Sequence, residues 1–161
     1  MAGKREYPDR PVVGVGGVVI HDGCALLIRR GGEPLKGQWS IPGGTLELGE
    51  TLEEGVRREL REETALEVRV LDLIEIFERI VPEPAPAAAT AQAKPSAPQY
   101  HFVIVDYLCE IAAGTPRAGS DVTNVALVRE EDLSSYGLTP TATRVIRKAF
   151  ALARERMPTV R

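Results

Sequence analysis

A chain of 161 residues is long enough for one domain with its own core, and 43% hydrophobic with 27% charged residues is ordinary globular composition. A net charge of −3 gives no reason to expect nucleic-acid or polybasic membrane binding. The opening MAGKREYPDR lacks a hydrophobic signal core and no apolar run approaches transmembrane length, so a cytoplasmic protein is the expectation, with residues 1–161 as a single domain.

The first strand is expected over Val12 to Ile20 and the second over Cys24 to Arg30, both apolar and β-branched. Asp22-Gly23 between them is a hairpin signal. Gly14, Gly16 and Gly17 superficially suggest a dinucleotide loop, but a hairpin follows them rather than a helix, which excludes that reading. Arg29, Arg30 and Lys36 cluster just before a glycine loop, where they either hold phosphate or solvate the surface. Trp39 either stacks on a base or packs beside the turn.

A helix then starts at Thr51, whose partner Glu54 three residues on completes a capping box. At about 100° per residue, Leu52, Val56 and Leu60 form one apolar stripe. Glu59 and Glu63 fall within or beside that stripe and Glu62 close by, while Glu53 and Glu54 suit a solvated face. Carboxylates at a buried margin repel one another and lose hydration, so either their pKa values rise or a cation neutralises them. Oxygen ligands at Glu59, Glu62 and Glu63 suit Mg2+ or Mn2+, which keep waters and bridge to substrate phosphates. Arg58, one turn before Glu62, orients it or forms an ordinary surface ion pair. Gly55 lies beside Glu59 and Glu62, where a missing side chain leaves room.

Glu67 to Ile80 reads as a strand, broken or bulged. Residues 82–98, with five prolines and seven alanines, form an extended loop inserted in the domain, either a lid or disordered. Tyr100 to Cys109 is a nearly continuous apolar strand, as expected of a central position; Asp106 interrupts it as a partnered buried carboxylate. A turn-rich connection over Gly114 to Ser120 leads to a short strand at Asn124 to Val128. Thr139-Pro140 reads as N-cap and first helical residue of a helix over 139–156, with Val145, Ile146, Ala149, Phe150 and Leu152 inward. Cys24 and Cys109 lie in apolar runs without metal or redox spacing and are read as buried free thiols. Strands on both sides of one helix, with another helix at the end, imply an α/β protein: an α/β/α sandwich around a mixed β-sheet.

The stretch from Gly44 to Leu66 resembles the signature of the Nudix hydrolases. Gly44, Glu50, Arg58, Glu59, Leu60, Glu62, Glu63 and Leu66 stand in register with it, and Trp39, Pro42 and Gly43 look like its usual lead-in. Ala65 departs, standing where the pattern has a glycine in a left-handed conformation, so that it either strains the backbone by about 1 kcal/mol or shifts the cap. The resemblance implies the α/β/α fold named above and adds the Gly44 carbonyl to the metal ligands Glu59, Glu62 and Glu63. Glu50 is a further ligand or a contact just outside them. It implies Mg2+ or Mn2+, more than one ion once substrate is bound, with Glu59 the first choice of general base and Glu62 and Arg58 assisting. Near the last strand Asn124 stands where some relatives carry Glu, leaving Asp121 as a substitute base. The implied activity is hydrolysis of a nucleoside diphosphate linked to another group, ADP-ribose or a similar ADP-sugar. Pro82, sixteen residues past Leu66, matches a spacing associated with ADP-ribose hydrolysis. The alternatives are a (deoxy)nucleoside triphosphate pyrophosphohydrolase and a ligand-sensing module without turnover. A small nucleotide is the implied partner, with no nucleic acid and no membrane, and relatives of this kind often form homodimers.

Overall fold

In the computed structural model, β1 (Val12–His21) and β2 (Cys24–Arg30) form the expected hairpin, closing on the His21–Cys24 pair. Asp22 and Gly23 both adopt positive φ, 48° and 73°, the backbone that a two-residue turn between right-twisted strands requires. The structure describes residues 5–84 and 97–158, so most of the proline- and alanine-rich loop lies outside the described residues.

Two short strands, β3 (Trp39–Ser40) and β4 (Gly43–Thr45), precede α1 (Leu52–Thr64). After it come β5 (Glu67–Val81), β6 (Tyr100–Ala113) and β7 (Val122–Arg129). A 3-10 segment (Glu130–Tyr136) and α2 (Pro140–Arg156) complete the described chain. The strands form one sheet ordered β3-β2-β1-β6-β5, with β4 added on β1 and β7 on β2. The β1–β6 pair is parallel and the other pairings are antiparallel, so the sheet is mixed as expected.

Alternation along β1 sorts the two layers. Val15 and Val19 pack with Leu26, Cys109, Val56 and Leu60 under α1, whereas Val18 packs with Leu27, Leu108, Val145, Ile146 and Phe150 under α2. Both faces of β6 are covered over Val105–Cys109, which explains its unbroken apolar run. The ladder between β5 and β6 shifts register between Glu67 and Val68, Val70 and Asp72, and Leu73 and Glu75, in keeping with the irregular pattern read in that strand.

β1 and β2 pair only at Ile20 and His21 and diverge towards their other ends. The chain from Pro42 to Thr45 occupies the fork: the Gly17 amide donates to the Pro42 carbonyl at 3.0 Å, and Gly14 to Gly16 pair with Thr45 to Gly43. A Cβ at Gly43 would stand 2.3 Å from the Val15 carbonyl oxygen, so the glycine is required by backbone proximity. This fork carries the glycine loop to the margin of α1.

The capping box of α1 is formed as read, Thr51 Oγ1 accepting from the Glu54 amide and Glu54 accepting from the Thr51 amide. At the other end Ala65 is the C-cap, at φ 60°, its amide donating to the Arg61 carbonyl at 3.0 Å. The alanine therefore adopts the left-handed conformation rather than moving the cap. Ala65→Gly is expected to stabilise the protein by about 1 kcal/mol, read as a higher urea midpoint at unchanged slope. An unchanged midpoint would show the strain to be absent.

Candidate active site

Glu59 projects from the buried margin of α1 and is only 8% exposed. A Cβ at Gly44 would lie 2.4 Å from Glu59 Oε1, so the carboxylate occupies the space that a side chain there would fill. One turn later, Glu63 accepts from the Gly43 amide at 2.9 Å. Both glycines of the loop thus serve the glutamates, Gly44 by yielding volume and Gly43 by donating.

Arg58 binds this margin together. Its Nε and Nη2 fork onto the two oxygens of Glu50 at 2.5 and 3.0 Å, Nη2 also reaches the Thr45 carbonyl at 3.0 Å, and Nη1 donates to Glu59 Oε1 at 2.8 Å. Glu62 lies farther away, 3.4 Å from Nη1, with its side chain 49% exposed. Arg58 thus holds Glu50 most closely and Glu59 next, and its bond to Glu62, the pair that the spacing suggested, is present and the longest of these hydrogen bonds. The reason is the loop before α1, which turns Glu50 back over the helix; its carboxylate also accepts from the Glu47 amide at 2.9 Å. The space beside Gly55 is likewise used by the protein, since a Cβ there would meet Leu46 Cδ1 at 2.8 Å and Glu50 Oε2 at 3.3 Å.

Charge at this margin is strained in proportion to burial. Desolvation raises the pKa of Glu59 against the opposing pull of Arg58, and it lifts Glu63 to about 7 although the Gly43 amide favours the ionised form. Arg58 holds Glu50 below the usual carboxylate range. These are hard oxygen donors short of positive charge, which fits Mg2+ or Mn2+. As placed, no group of three His, Cys, Asp or Glu side chains among the described residues is gathered closely enough to enclose an ion. Glu59 points to Gly44, Glu63 to Gly43 and Glu62 outward, so coordination by all three requires side-chain rotation, which the exposure of Glu62 permits.

The raised Glu63 pKa has a stability consequence with a definite sign. Between about pH 4.5 and 7 the unfolded chain releases this proton while the folded protein retains it, so folding stability falls as pH rises through that window. In chelator, the melting temperature is expected to decline from pH 5 to 7.5 in the wild type and less steeply in Glu63→Gln. Equal slopes in the two proteins would refute this origin.

A broad cleft opens beside the glutamates, lined among others by Arg30, Phe77, Arg79, Phe102, Ile104 and Asp121. Arg30 is half-buried, its Nε donating to the Pro34 carbonyl at 2.7 Å, and its charge is felt at Glu63. Asp121 adds to the negative field at Glu63. The structure thus brings together Gly44, Glu50, Arg58, Glu59, Glu62, Glu63 and Arg30 along one cleft. Arg29, Lys36 and Trp39 do not line it. Arg29 turns to the Gly37 carbonyl, Lys36 is exposed, and the Trp39 ring packs edge-on against Tyr136, centroids 5.2 Å apart, beside the α2 core. Arg79 was missed in the sequence; its place near Phe77 at the end of β5 was the available signal.

The sequence pattern described as NUDIX domain matches residues 10–149, which takes in every element of this site. Among curated proteins, an ADP-ribose pyrophosphatase of Methanocaldococcus jannaschii is 32% identical over 111 residues, 69% of this chain and 57% of that protein. A MutT-like protein of Streptomyces ambofaciens is 33% identical over 123 residues, 76% of this chain and 66% of that protein. The chain thus spans less than two thirds of the length of either. Among solved structures, a MutT NUDIX hydrolase from Burkholderia pseudomallei superposes with a TM-score of 0.70 at 27% identity, covering 87% of this chain and 98% of that one. No helix among the described residues is long and apolar enough to cross a membrane. The family pattern is matched over most of the chain, and on that match the chain belongs to the Nudix family.

Proposed function

We propose that the protein is a metal-dependent pyrophosphohydrolase that cleaves the diphosphate linkage of ADP-ribose or a similar ADP-sugar. The observation that carries this reading is the convergence of Glu59 and Glu63 on the Gly43–Gly44 loop, with Glu62 alongside, at the edge of a cleft that also receives Arg30. The ADP-ribose pyrophosphatase among the relatives supports the substrate class. A cytoplasmic location, and a homodimer formed through the long edge strand β5 with its exposed Leu73, Ile76 and Ile80, complete the reading.

Glu59, Glu62, Glu63 and the Gly44 carbonyl would hold Mg2+ or Mn2+, with Glu50 bound to Arg58 and supporting from outside. When bound, the metal supplies positive charge to the diphosphate and acidifies the attacking water. Arg30, which lines the same cleft and whose charge reaches Glu63, would meet the anionic substrate there. Glu59, steered by Arg58, is our choice for the group that accepts the proton from that water. Attack at phosphorus breaks one P–O bond of the bridge and, for ADP-ribose, yields AMP and ribose 5-phosphate.

A panel of ADP-sugars, other nucleoside diphosphate derivatives and nucleoside triphosphates, each with magnesium and with manganese, tests the reading. Magnesium-dependent release of AMP from ADP-ribose is the expected result. Turnover of triphosphates with none of ADP-sugars would overturn the substrate assignment, and tight binding without turnover would identify a sensing module.

A further inference from the structure

Asp106 is the buried acid that the site described above does not use. The residue is 3% exposed, yet none of its oxygens is both buried and unpartnered, so the carboxyl group opens on the cleft that it lines. The sequence led us to expect a partnered carboxylate here, and the structure corrects this. The charged group opposite it in the β5–β6 register is Glu75, itself an anion, whose two oxygens are taken by Arg144 and Lys148 of α2. β1 presents only glycine to it: a Cβ at Gly16 would lie 2.2 Å from Asp106 Oδ1. From α2, Thr141 and Ala142 line the same opening without a charge.

Such a group is unfavourable for the fold. Burial and the neighbouring Glu75 both disfavour its charge, and only the cleft offers its oxygens a partner. Its place in the fold indicates what fills the gap. Asp106 and Gly43 flank Gly16 on either side in register, so with strands about 4.8 Å apart the acid stands about 10 Å along the sheet from the loop that meets Glu63. The carboxyl group leans over Gly16, towards that loop, and Phe77, Phe102, Ile104 and Ile28 give the cleft apolar walls. Apolar walls with one or two placed polar groups are what a flat heterocycle requires.

We propose that Asp106 is a specificity-determining residue whose carboxyl group pairs with the amino-bearing edge of an adenine while the attached diphosphate lies on the glutamates of α1. The inference rests on the ADP-ribose reading of the same cleft and names the group that selects the base. In its protonated form a carboxyl group offers one donor and one acceptor, which match the acceptor N7 and donor N6 of adenine. Guanine presents two acceptors at O6 and N7 and a matching acceptor and donor at O6 and N1–H, a different edge that would turn the base, so the comparison with GMP tests which base is held. Desolvation lifts Asp106 to about 7, so the protonated form is well populated at neutral pH.

The test is calorimetric binding of AMP, GMP and ribose 5-phosphate in chelator to wild type, Asp106→Leu and Asp106→Asn. Melting temperatures, and KM for ADP-ribose with magnesium, complete it. Asp106→Leu is expected to weaken AMP about tenfold while raising the melting temperature, because it removes an acid whose charge burial and Glu75 disfavour. Asp106→Asn, which keeps a donor and an acceptor, restores AMP to within about threefold of wild type. Ribose 5-phosphate binds all three alike. Unchanged AMP affinity in Asp106→Leu, or equal loss of AMP and ribose 5-phosphate, would overturn the assignment, as would wild-type preference for GMP. If Asp106→Leu fails to fold, Gly16→Ala, which displaces the carboxyl group, takes its place with the same two outcomes. The two readings fail separately. Selective loss of AMP binding without any ADP-ribose turnover by wild type refutes the substrate reading alone, whereas normal turnover with KM unchanged in Asp106→Leu refutes the role of Asp106 alone.

Discussion

Glu59→Gln is expected to lower kcat for magnesium-dependent hydrolysis by about two to three orders of magnitude. The amide has nearly the volume of the carboxylate, so it fits the space over Gly44 that a Cβ would otherwise enter. It cannot carry the charge that a divalent cation needs, nor accept a proton from water. Because burial already disfavours the ionised form of Glu59, the folded state tolerates the neutral side chain, and the melting temperature is expected to change little. Steady-state kinetics over a magnesium titration, with a thermal melt of the same sample, separates lost chemistry from lost fold. Glu54→Gln on the solvated side of the same helix, where the side chain serves only the capping box, is the control and should keep wild-type kcat. If Glu59→Gln turned over within about threefold of wild type, the carboxylate would have no part in the reaction.

Arg58→Ala is expected to act first on stability. Removing the guanidinium leaves Glu50 and Glu59 facing each other across a margin where both side chains are less than a fifth exposed, 18% and 11%. Breaking a fully buried pair costs about 3–5 kcal/mol; here the cleft admits water, and about 2 kcal/mol is the better figure. For a chain of this length that corresponds to a fall of about 4–8 °C in melting temperature. Arg58→Lys keeps the charge but loses the fork that spans both Glu50 oxygens, so it should recover only part of the loss. A melting temperature within about 1 °C of wild type for Arg58→Ala would show that the network contributes nothing net.

Local chemistry was legible where one residue type admits one backbone. Asp22-Gly23 forces the hairpin, Thr51 with Glu54 starts α1, and Thr139-Pro140 starts α2, all as read. The placement of Glu59 and Glu63 followed from the helical period, because a carboxylate beside Val56 and Leu60 has nowhere to go but the sheet margin. Tertiary partners were not legible. Arg58 was paired with Glu62 by spacing along the helix, but the bend at Gly49, with φ 91°, returns Glu50 to it first. Arg29, Arg30 and Lys36 were grouped by nearness in sequence to the glycine loop, and Trp39 was read beside them. Only Arg30 lines the cleft; Arg29, paired with Trp39 and Asn124 across β3 and β7, turns its side chain to the Gly37 carbonyl, and the Trp39 ring meets Tyr136. The 3-10 segment Glu130–Tyr136 was missed because its charged start hides the one residue that anchors it, the buried Leu133.

The paired glycines of β1 have a consequence for how such a protein diverges. A methyl group at Gly17 would collide with Leu60, Val56 and Cys109 beneath α1, while one at Gly16 would strike Asp106 on the opposite side. Adjacent codons therefore serve the two faces of the sheet separately, one the seat of the helix that bears the acids, the other the shape of the chamber on the opposite face. A change at one of these positions can alter one face while the other stays as it is.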